Sequence, residues 1–510
     1  MFSSHNNESD VFFKYLSASE YRRRHTNFFK MVSVPSFRPN SNFPQLCDKV
    51  TVGWDARRGR FVQATEDIPI GTVVCVEQGI TVNVDQSKCY RCLKQLGDDG
   101  FAYCEGCEEF YEPDAIACGD FDGLGIFKLS AHLVFSYPFL DMANLIRSND
   151  PEIPQSAPTY LSTKDVTSVF QLTPYREIGE AFKEPPLQAA INKIVASLKD
   201  DANWGRLEYN SRLVTFTKAL RIMAERCAKN AHTIYGIDQM EAKDKKVPLG
   251  TGLFPISSIF NHSCTPNVYG FFVRNTFIFV SRGVKAGEEL VDSYGVTYNQ
   301  HTLQQRTEFL KNVSGFDCHC DSCVQNKSLD SELEKSFNDL ELCAKNASSI
   351  LDFSQYGDYL KPGSKETEDL IVEFGKRRDA EVYTEHMFML WKKFVENAKL
   401  RGIDYDPYLI HPYIEMVILA WNDEVECSEE EKASLLFITH RLLRNFYVGF
   451  HPVSDIISEL VDQSAKNEIN QIRNTVERLI ARSRSVWEHT DYQGSQKQPE
   501  NGNRMTVIHN

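Results

Sequence analysis

Apolar and polar positions alternate with a period of two from Lys49 onward, where Val50, Val52 and Trp54 predict a half-buried strand. Two further apolar runs, Arg60 to Ala64 and Thr72 to Val76, predict two more strands. They are joined through Asp67-Ile68-Pro69-Ile70-Gly71, whose proline and glycine favour a tight turn. Between residues 119 and 245 the spacing lengthens to three and four. Leu187, Ile191, Ile194, Val195 and Leu198 form one such stripe, and Leu213, Phe216, Leu220, Met223 and Cys227 another, so this region reads as helical. Alternation then returns. Val268 to Val273 and Thr276 to Ser281 predict a hairpin across Arg274-Asn275, and Gly287 introduces a strand from Glu289 to Tyr294. Leu303, Arg306, Phe309 and Leu310 mark a short helix. After Val324 the pattern is helical to about Arg484, with stripes such as Val453, Ile456, Ile457, Leu460 and Ile469, Ile472, Val476, Leu479, Ile480. The expected fold class is therefore α+β, a set of short strands split by an insert and followed by a C-terminal α-helical domain.

Composition narrows the function classes. The chain has 510 residues and a net charge of −14, an acidic balance that disfavours direct nucleic-acid binding. Arg22, Arg23, Arg24 and His25 read as a solvated helix face or a small basic patch. No apolar run is long enough to span a bilayer and no signal peptide is visible, so an intracellular location, cytoplasmic or nuclear, is expected without membrane attachment.

The 14 cysteines carry the first chemical signal. Cys89 and Cys92, then Cys104 and Cys107, form two C-x-x-C pairs that can close four thiolates around one structural zinc ion. Cys318, Cys320 and Cys323 form C-x-C-x-x-C, a knuckle lacking its fourth ligand. Cys47, Cys75, Cys227, Cys343 and Cys427 stand singly and read as small buried hydrophobes. Asn261, His262, Ser263 and Cys264 place amide, imidazole, hydroxyl and thiol side by side after the apolar run Leu253 to Phe260. Tyr294, before Gly295, could project from a strand end into a cleft. Arg58-Gly59-Arg60 reads as a surface turn or as a loop approaching an anionic group.

The order of these pieces resembles the SET- and MYND-domain lysine methyltransferases, the SMYD family. GRFVQATEDIPIG, a cysteine-rich insert, LFP before NHSCTPN, GEELVDSYG and FDCHCDSC carry the resemblance over residues 49–107 and 250–323. Asn230 and Gly449-Phe450-His451-Pro452 support it more loosely. It implies a SET-domain β-fold and transfer of methyl groups from S-adenosylmethionine to lysine side chains of a protein substrate, histone or non-histone. Asn261 and His262 would contact the cofactor, with Asn230 a further contact. Arg58 and Arg60 would lie around its methionine end, Phe316 beside its adenine and Tyr294 at the methyl-transfer centre. Cys264 would complete a zinc site with Cys318, Cys320 and Cys323, making two ions with the first cysteine group. The implied organisation is a flexible arm (1–45), the first SET part (46–85), a reduced MYND-like zinc module (86–118), a helical insert (119–245), the catalytic SET core (246–300), a post-SET zinc segment (301–324), a C-terminal helical domain (325–485) and a disordered tail (486–510). A monomer is expected, with chromatin or corepressor proteins as further partners. The chain departs from the family at Phe61, where many members have a second glycine, at Ser314, where some have tyrosine, and in its shortened cysteine module. The alternative is a SET-fold scaffold or corepressor that binds partner proteins without turnover.

Overall fold

The computed structural model describes residues 36–84, 126–135, 139–148, 156–162, 167–174, 188–193, 210–236, 248–298, 301–327, 406–466 and 468–491, with short pieces and isolated positions between them. Strands β1 (Val50–Asp55), β2 (Gly59–Ala64), β3 (Val73–Gln78) and β4 (Thr81–Val84) come first, followed by a small antiparallel pair, β5 (Ala102–Cys104) and β6 (Glu109–Tyr111). Helices α1 (Ile126–Phe135), α2 (Phe139–Ser148), α3 (Thr167–Phe170) and α4 (Asn210–Asn230) precede β7 (Ala231–Ile234), β8 (Gly250–Leu253), β9 (Asn261–His262), β10 (Val268–Val273), β11 (Thr276–Ser281) and β12 (Glu289–Asp292). Then come α5 (Leu303–Phe309), α6 (Asp321–Val324), α7 (Ile410–Trp421), α8 (Glu429–Tyr447), α9 (Ser454–Ala465) and α10 (Ile469–Asp491).

Three small sheets surround the centre, in the orders β1-β2-β12-β9, β10-β11-β3 and β4-β8-β7. The expected hairpin is present residue for residue, with Val268 opposite Ser281 and Val273 opposite Thr276. Arg274 takes the left-handed turn conformation, with φ 57°. Strand β11 is buried at all six positions because both its faces are covered. Phe277 and Phe279 pack with Phe254, Phe260 and Phe272 on one side, whereas Ile278 and Val280 pack with α7 and α8 on the other. Phe272 and Phe277 stack with ring centroids 4.2 Å apart.

The C-terminal helices thus share a core with the central sheet. Trp391, Leu409, Ile414, Val417, Phe446, Tyr447 and Leu460 join Val73, Val76, Phe271 and Ile278 in one buried cluster. Two polar links cross the same seam, Arg282 Nη2 to Asp406 Oδ2 at 2.7 Å and the hydroxyls of Tyr269 and Tyr447 at 3.0 Å. The insert has its own core, in which the α4 stripe of Phe216, Leu220, Met223 and Cys227 packs against α1.

Some expected boundaries shift. The end of the expected arm, residues 1–45, joins the fold: Val34, Phe43 and Gln45 are buried, and a β-bridge joins Pro39 to Cys47. Apolar side chains at those positions outweigh the surrounding polar composition, and Asn40 Oδ1 secures the turn by accepting from Asn42 and Phe43 N–H groups. The insert ends in a strand, since β7 pairs with β8, and α10 runs to Asp491, past the expected limit of 485. Cys47, Cys75 and Cys227 are buried as expected, whereas Cys427 is only partly so; Cys343 lies outside the described residues. No helix among the described residues is long and apolar enough to cross a membrane.

Phe271→Ala, at a fully buried position between sheet and helices, should cost about 3–5 kcal/mol. Chemical denaturation should show a single transition shifted to lower denaturant; a transition confined to the C-terminal helices would contradict the shared core.

Candidate active site

Strand β9 is two residues long, and its position decides the site. Asn261 and His262 pair in parallel with Val291 and Asp292 of β12, so the two motif segments lie side by side. Asn267 staples them: its Nδ2 donates to the Glu289 carbonyl at 2.8 Å and its Oδ1 accepts from Val291 N at 2.8 Å. The approach to β9 is fixed from beneath by Glu77 on β3. This fully buried carboxyl group accepts N–H bonds from Ile256 at 2.9 and 3.1 Å and from Ser257 at 2.6 Å. It anchors the 3₁₀ turn Ser257–Ile259 that launches the motif.

Tyr294 follows β12 directly. Its backbone N–H donates to His262 Nδ1 at 3.0 Å, and its hydroxyl donates to the Phe260 carbonyl at 2.8 Å. The rings of His262 and Tyr294 lie 5.3 Å apart, and Phe316 stands 6.3 Å from Tyr294 in an edge-on arrangement and 6.1 Å from His262. Burial pushes the Tyr294 phenol well above its ordinary value, with Asp292 and Glu289 adding to the rise. Burial also raises the Asp292 carboxyl to about 7 and lowers His262 to about 4, so the imidazole is neutral at physiological pH. Because Nδ1 accepts from Tyr294, the ring proton sits on Nε2, which faces Cys264 Sγ at 3.4 Å.

Arg58, Arg60 and Asn261 meet at one carboxylate and one carbonyl. Asn261 Nδ2 donates to the Arg60 carbonyl at 3.0 Å and to Glu289 Oε1 at 2.8 Å. Arg58 is exposed at its backbone turn and donates to Asp55 Oδ2 at 2.5 Å and Glu289 Oε2 at 2.6 Å. Its guanidinium lies over the Phe61 ring at 3.9 Å. Phe61 itself covers Gly53, where an added Cβ would fall 2.4 Å from the ring. Alternation along β2 puts Arg60 and Phe61 on opposite faces, so the aromatic does not point where Arg60 does. Asn230 at the end of α4 gives its Nδ2 protons to the carbonyls of Thr173 at 2.9 Å and Arg226 at 2.8 Å.

Cys264, Cys318, Cys320 and Cys323 converge, their sulfurs all within 4.8 Å of one another. Tetrahedral zinc–thiolate bonds of about 2.3 Å require sulfurs about 3.8 Å apart, so the donor set fits one zinc ion. Thiols of Cys264 and Cys318 turned toward Cys320 hold its sulfur well below the ordinary thiol range. A capping box at Thr302 and Gln305 starts α5, and the π-helical turn Leu310–Ser314 ends at Gly315, φ 72°, delivering Phe316 and the knuckle to the site. Of the other cysteine group, Cys104 ends β5, while Cys89, Cys92 and Cys107 lie outside the described residues. Glu77, Asn267, Glu289 and Arg226 were not singled out by sequence. The first three sit on strand or turn positions whose spacing shows nothing unusual, and Arg226 looks like an ordinary helical cation.

A family model described as "SET domain" matches residues 59–295. A Caenorhabditis elegans protein named SET domain-containing protein 3 is 64% identical over 461 residues, covering 90% of this chain and 99% of that relative. This chain belongs to the SET-domain family. A Dictyostelium discoideum SET and MYND domain-containing protein is 27% identical over 320 residues, 53% of this chain and 59% of its own length. The human protein-lysine N-methyltransferase SMYD4 is 34% identical over 80 residues, 16% of this chain and 10% of its own. The SET domain of LSMT bound to lysine and AdoHcy aligns over 92% of this chain and 90% of its own at 11% identity, with a TM-score of 0.25. The SET-domain chain therefore has lysine methyltransferases among its relatives, mixed α and β content and a helical C-terminal region.

Cys264→Ser should abolish zinc retention at the quartet, read as a loss of about one zinc equivalent by metal analysis. Unchanged zinc content would remove Cys264 from the ligand set. A second expectation concerns His232, half-buried with its ring packed against Phe254 and Phe277 and lowered by desolvation to about 4. Between pH 6.5 and 4 the unfolded chain binds a proton there that the folded chain refuses, so this group weakens the fold as pH falls through that window. Its NMR titration midpoint should lie near 4, and a midpoint near 6.5 would contradict the burial argument.

Proposed function

We propose that the SET-domain chain is a protein-lysine methyltransferase using S-adenosylmethionine, with Tyr294 at the methyl-transfer centre, Asn261, His262 and Asn230 in contact with the cofactor, Phe316 beside its adenine, and Arg58 and Arg60 around its methionine end. The observation that carries this reading is the convergence of Tyr294, His262 and Phe316 around the junction of β9 and β12. The residues also fit a zwitterionic cofactor: Arg60 Nη1 is buried without a hydrogen-bond partner, and an anionic group would satisfy it. The bound cofactor supplies a methyl group on a positively charged sulfur.

The chain's contribution is alignment, dehydration and proton control. A lysine amine has an ordinary pKa of about 10.4 and reacts only when neutral, a form that burial favours. Tyr294 is not suited to take that proton, since its phenol is pushed up and remains protonated. Donating its hydroxyl proton to the Phe260 carbonyl leaves its oxygen lone pairs to accept an N–H from the amine, which directs the nitrogen's own lone pair elsewhere. His262, neutral and bonded to the Tyr294 backbone, keeps that phenol in position. The half-buried ring of Tyr294, packed in one cluster with Val296 and Leu310, limits water at the reacting centre.

The finer reading is a SMYD-type relation with a reduced MYND-like module holding a second zinc through Cys89, Cys92, Cys104 and Cys107. The long alignment with the Dictyostelium SET and MYND protein supports it. A protein substrate follows from the lysine methyltransferase relatives. The scaffold reading gains nothing from Phe61, whose ring lies over Gly53 rather than on the Arg60 side.

Tyr294→Phe should leave S-adenosylmethionine affinity within about twofold by calorimetry while lowering methyl transfer about 100-fold or more, the usual scale for losing a positioned transition-state hydrogen bond. Equal transfer by the variant would refute the orienting role. Failure of the zinc-loaded, folded wild type to bind the cofactor would instead favour the scaffold.

A further inference from the structure

A side-chain amide can be turned either way about its last bond, so the end it shows a ligand is decided by what the protein offers the other end. Asn261 has no choice. Its Nδ2 meets the Arg60 carbonyl at 3.0 Å and Glu289 Oε1 at 2.8 Å, and a carbonyl and an ion-paired carboxylate only accept. The reverse orientation would set Oδ1 against two acceptors. Both Nδ2 protons are therefore consumed, and Oδ1 is the open corner of the side chain, with no donor meeting it among the described residues. Glu289 is well placed to enforce this. It lies two residues before Val291, the register partner of Asn261, so the alternation of β12 turns it to the same side. Its main chain is held twice, by the ladder to Gln63 on β2 and by Asn267 Nδ2 at its carbonyl. Its second oxygen, Oε2, accepts from Arg58 Nη1 at 2.6 Å, and Arg58 is in turn bonded to Asp55. Only 15% of the Glu289 side chain is exposed, so its charge-assisted bond to Asn261 is partly shielded from competing water.

We infer that Glu289 is a positioning residue of the cofactor site, whose carboxylate locks the Asn261 amide with Oδ1 outward as the acceptor for the α-ammonium group of the bound cofactor. This rests on the methyltransferase reading above and deepens it. An acceptor at that corner calls for a donor on the ligand, and the cofactor's charged donor is the ammonium of its amino-acid end. Glu289 does not touch the ligand. It acts through Asn261, and its ion pair with Arg58 keeps the carboxylate in place.

The test compares two ligands by calorimetry on the full-length, zinc-loaded chain: S-adenosylhomocysteine, and its des-amino analogue, which keeps the carboxylate and the nucleoside and lacks only the α-amino group. One charge-assisted hydrogen bond corresponds to about 10- to 100-fold in affinity. Wild type should therefore prefer S-adenosylhomocysteine by about that factor. Glu289→Gln keeps the size of the side chain but cannot accept at both ends, because its own amide N–H groups must face either Asn261 Nδ2 or Arg58. It should weaken S-adenosylhomocysteine about 10-fold or more while leaving the des-amino analogue within about twofold. Thermal melts accompany the variant, and Glu289→Ala, which removes the lock without adding a donor, carries the same comparison if Glu289→Gln fails to fold. Equal weakening of both ligands would show that Glu289 only supports the fold, and no weakening of either would show that the amide needs no lock; both results overturn the inference while sparing the cofactor reading. Equal affinity of the wild type for the two ligands does the same, whatever the variants show. A wild type that binds neither ligand overturns the cofactor reading and the inference with it.

Discussion

The two-residue parallel pairing of β9 with β12 is the constraint on which the site depends. Asn261 and His262 on one side, Val291 and Asp292 on the other, are separated by a complete hairpin in sequence, yet only their pairing puts His262 against Tyr294. So short a ladder cannot hold itself together. It is held by side chains: Asn267 bonded to β12 at both Glu289 and Val291, Glu77 gripping the turn before β9, and Glu289 joining Asn261 to Arg58. Each of these is a polar group spent on placement, and the removal of any one leaves buried partners unsatisfied.

The same economy extends to the thiol cluster. The His262 ring has Tyr294 at one nitrogen and Cys264 at the other, so the quartet and the tyrosine share a single imidazole. Holding an ion through Cys264, Cys318, Cys320 and Cys323 would fix both the strand that carries His262 and the segment that carries Phe316. An N–H directed at a metal-bound sulfur is the kind of outer contact that sets ring orientation at such centres.

Much of the local structure was legible in the sequence. The hairpin Val268–Ser281, the α4 stripe and the helix at Leu303 follow from periods of two and of three to four, and the C-x-C-x-x-C run announced its chemistry by spacing. What escaped were relationships between distant segments. Nothing about Glu77 on β3 distinguishes it from a solvent-facing strand carboxylate until Ile256 is seen above it. Arg226 sits four residues before Asn230 on a helix rich in Lys and Arg, where a cation is unremarkable; only its complete burial, with a hydrogen bond to the distant Phe170 carbonyl, makes it unusual. The arm behaved likewise, since isolated apolar residues such as Phe43 in a polar stretch carry no period and gain meaning only from the core they meet.

Strands β4 and β8 give the architecture a further property. Val84, the last residue of β4, lies directly opposite Gly250, the first of β8, so the whole run from 85 to 249 leaves and re-enters the fold at a single register position. A detour between adjoining ends places little demand on its own length, because closure entropy grows only slowly with chain added. Connections early in that detour are thus open to growth or shrinkage, although Leu93 and Leu161 within it are buried in the central core. The detour's last segment has no such liberty, since β7 pairs with β8 and the Asn230 carbonyl at the end of α4 accepts from Ser258 in the turn before β9. Evolutionary plasticity in this chain should accordingly be lopsided, generous after β4 and stringent before β8.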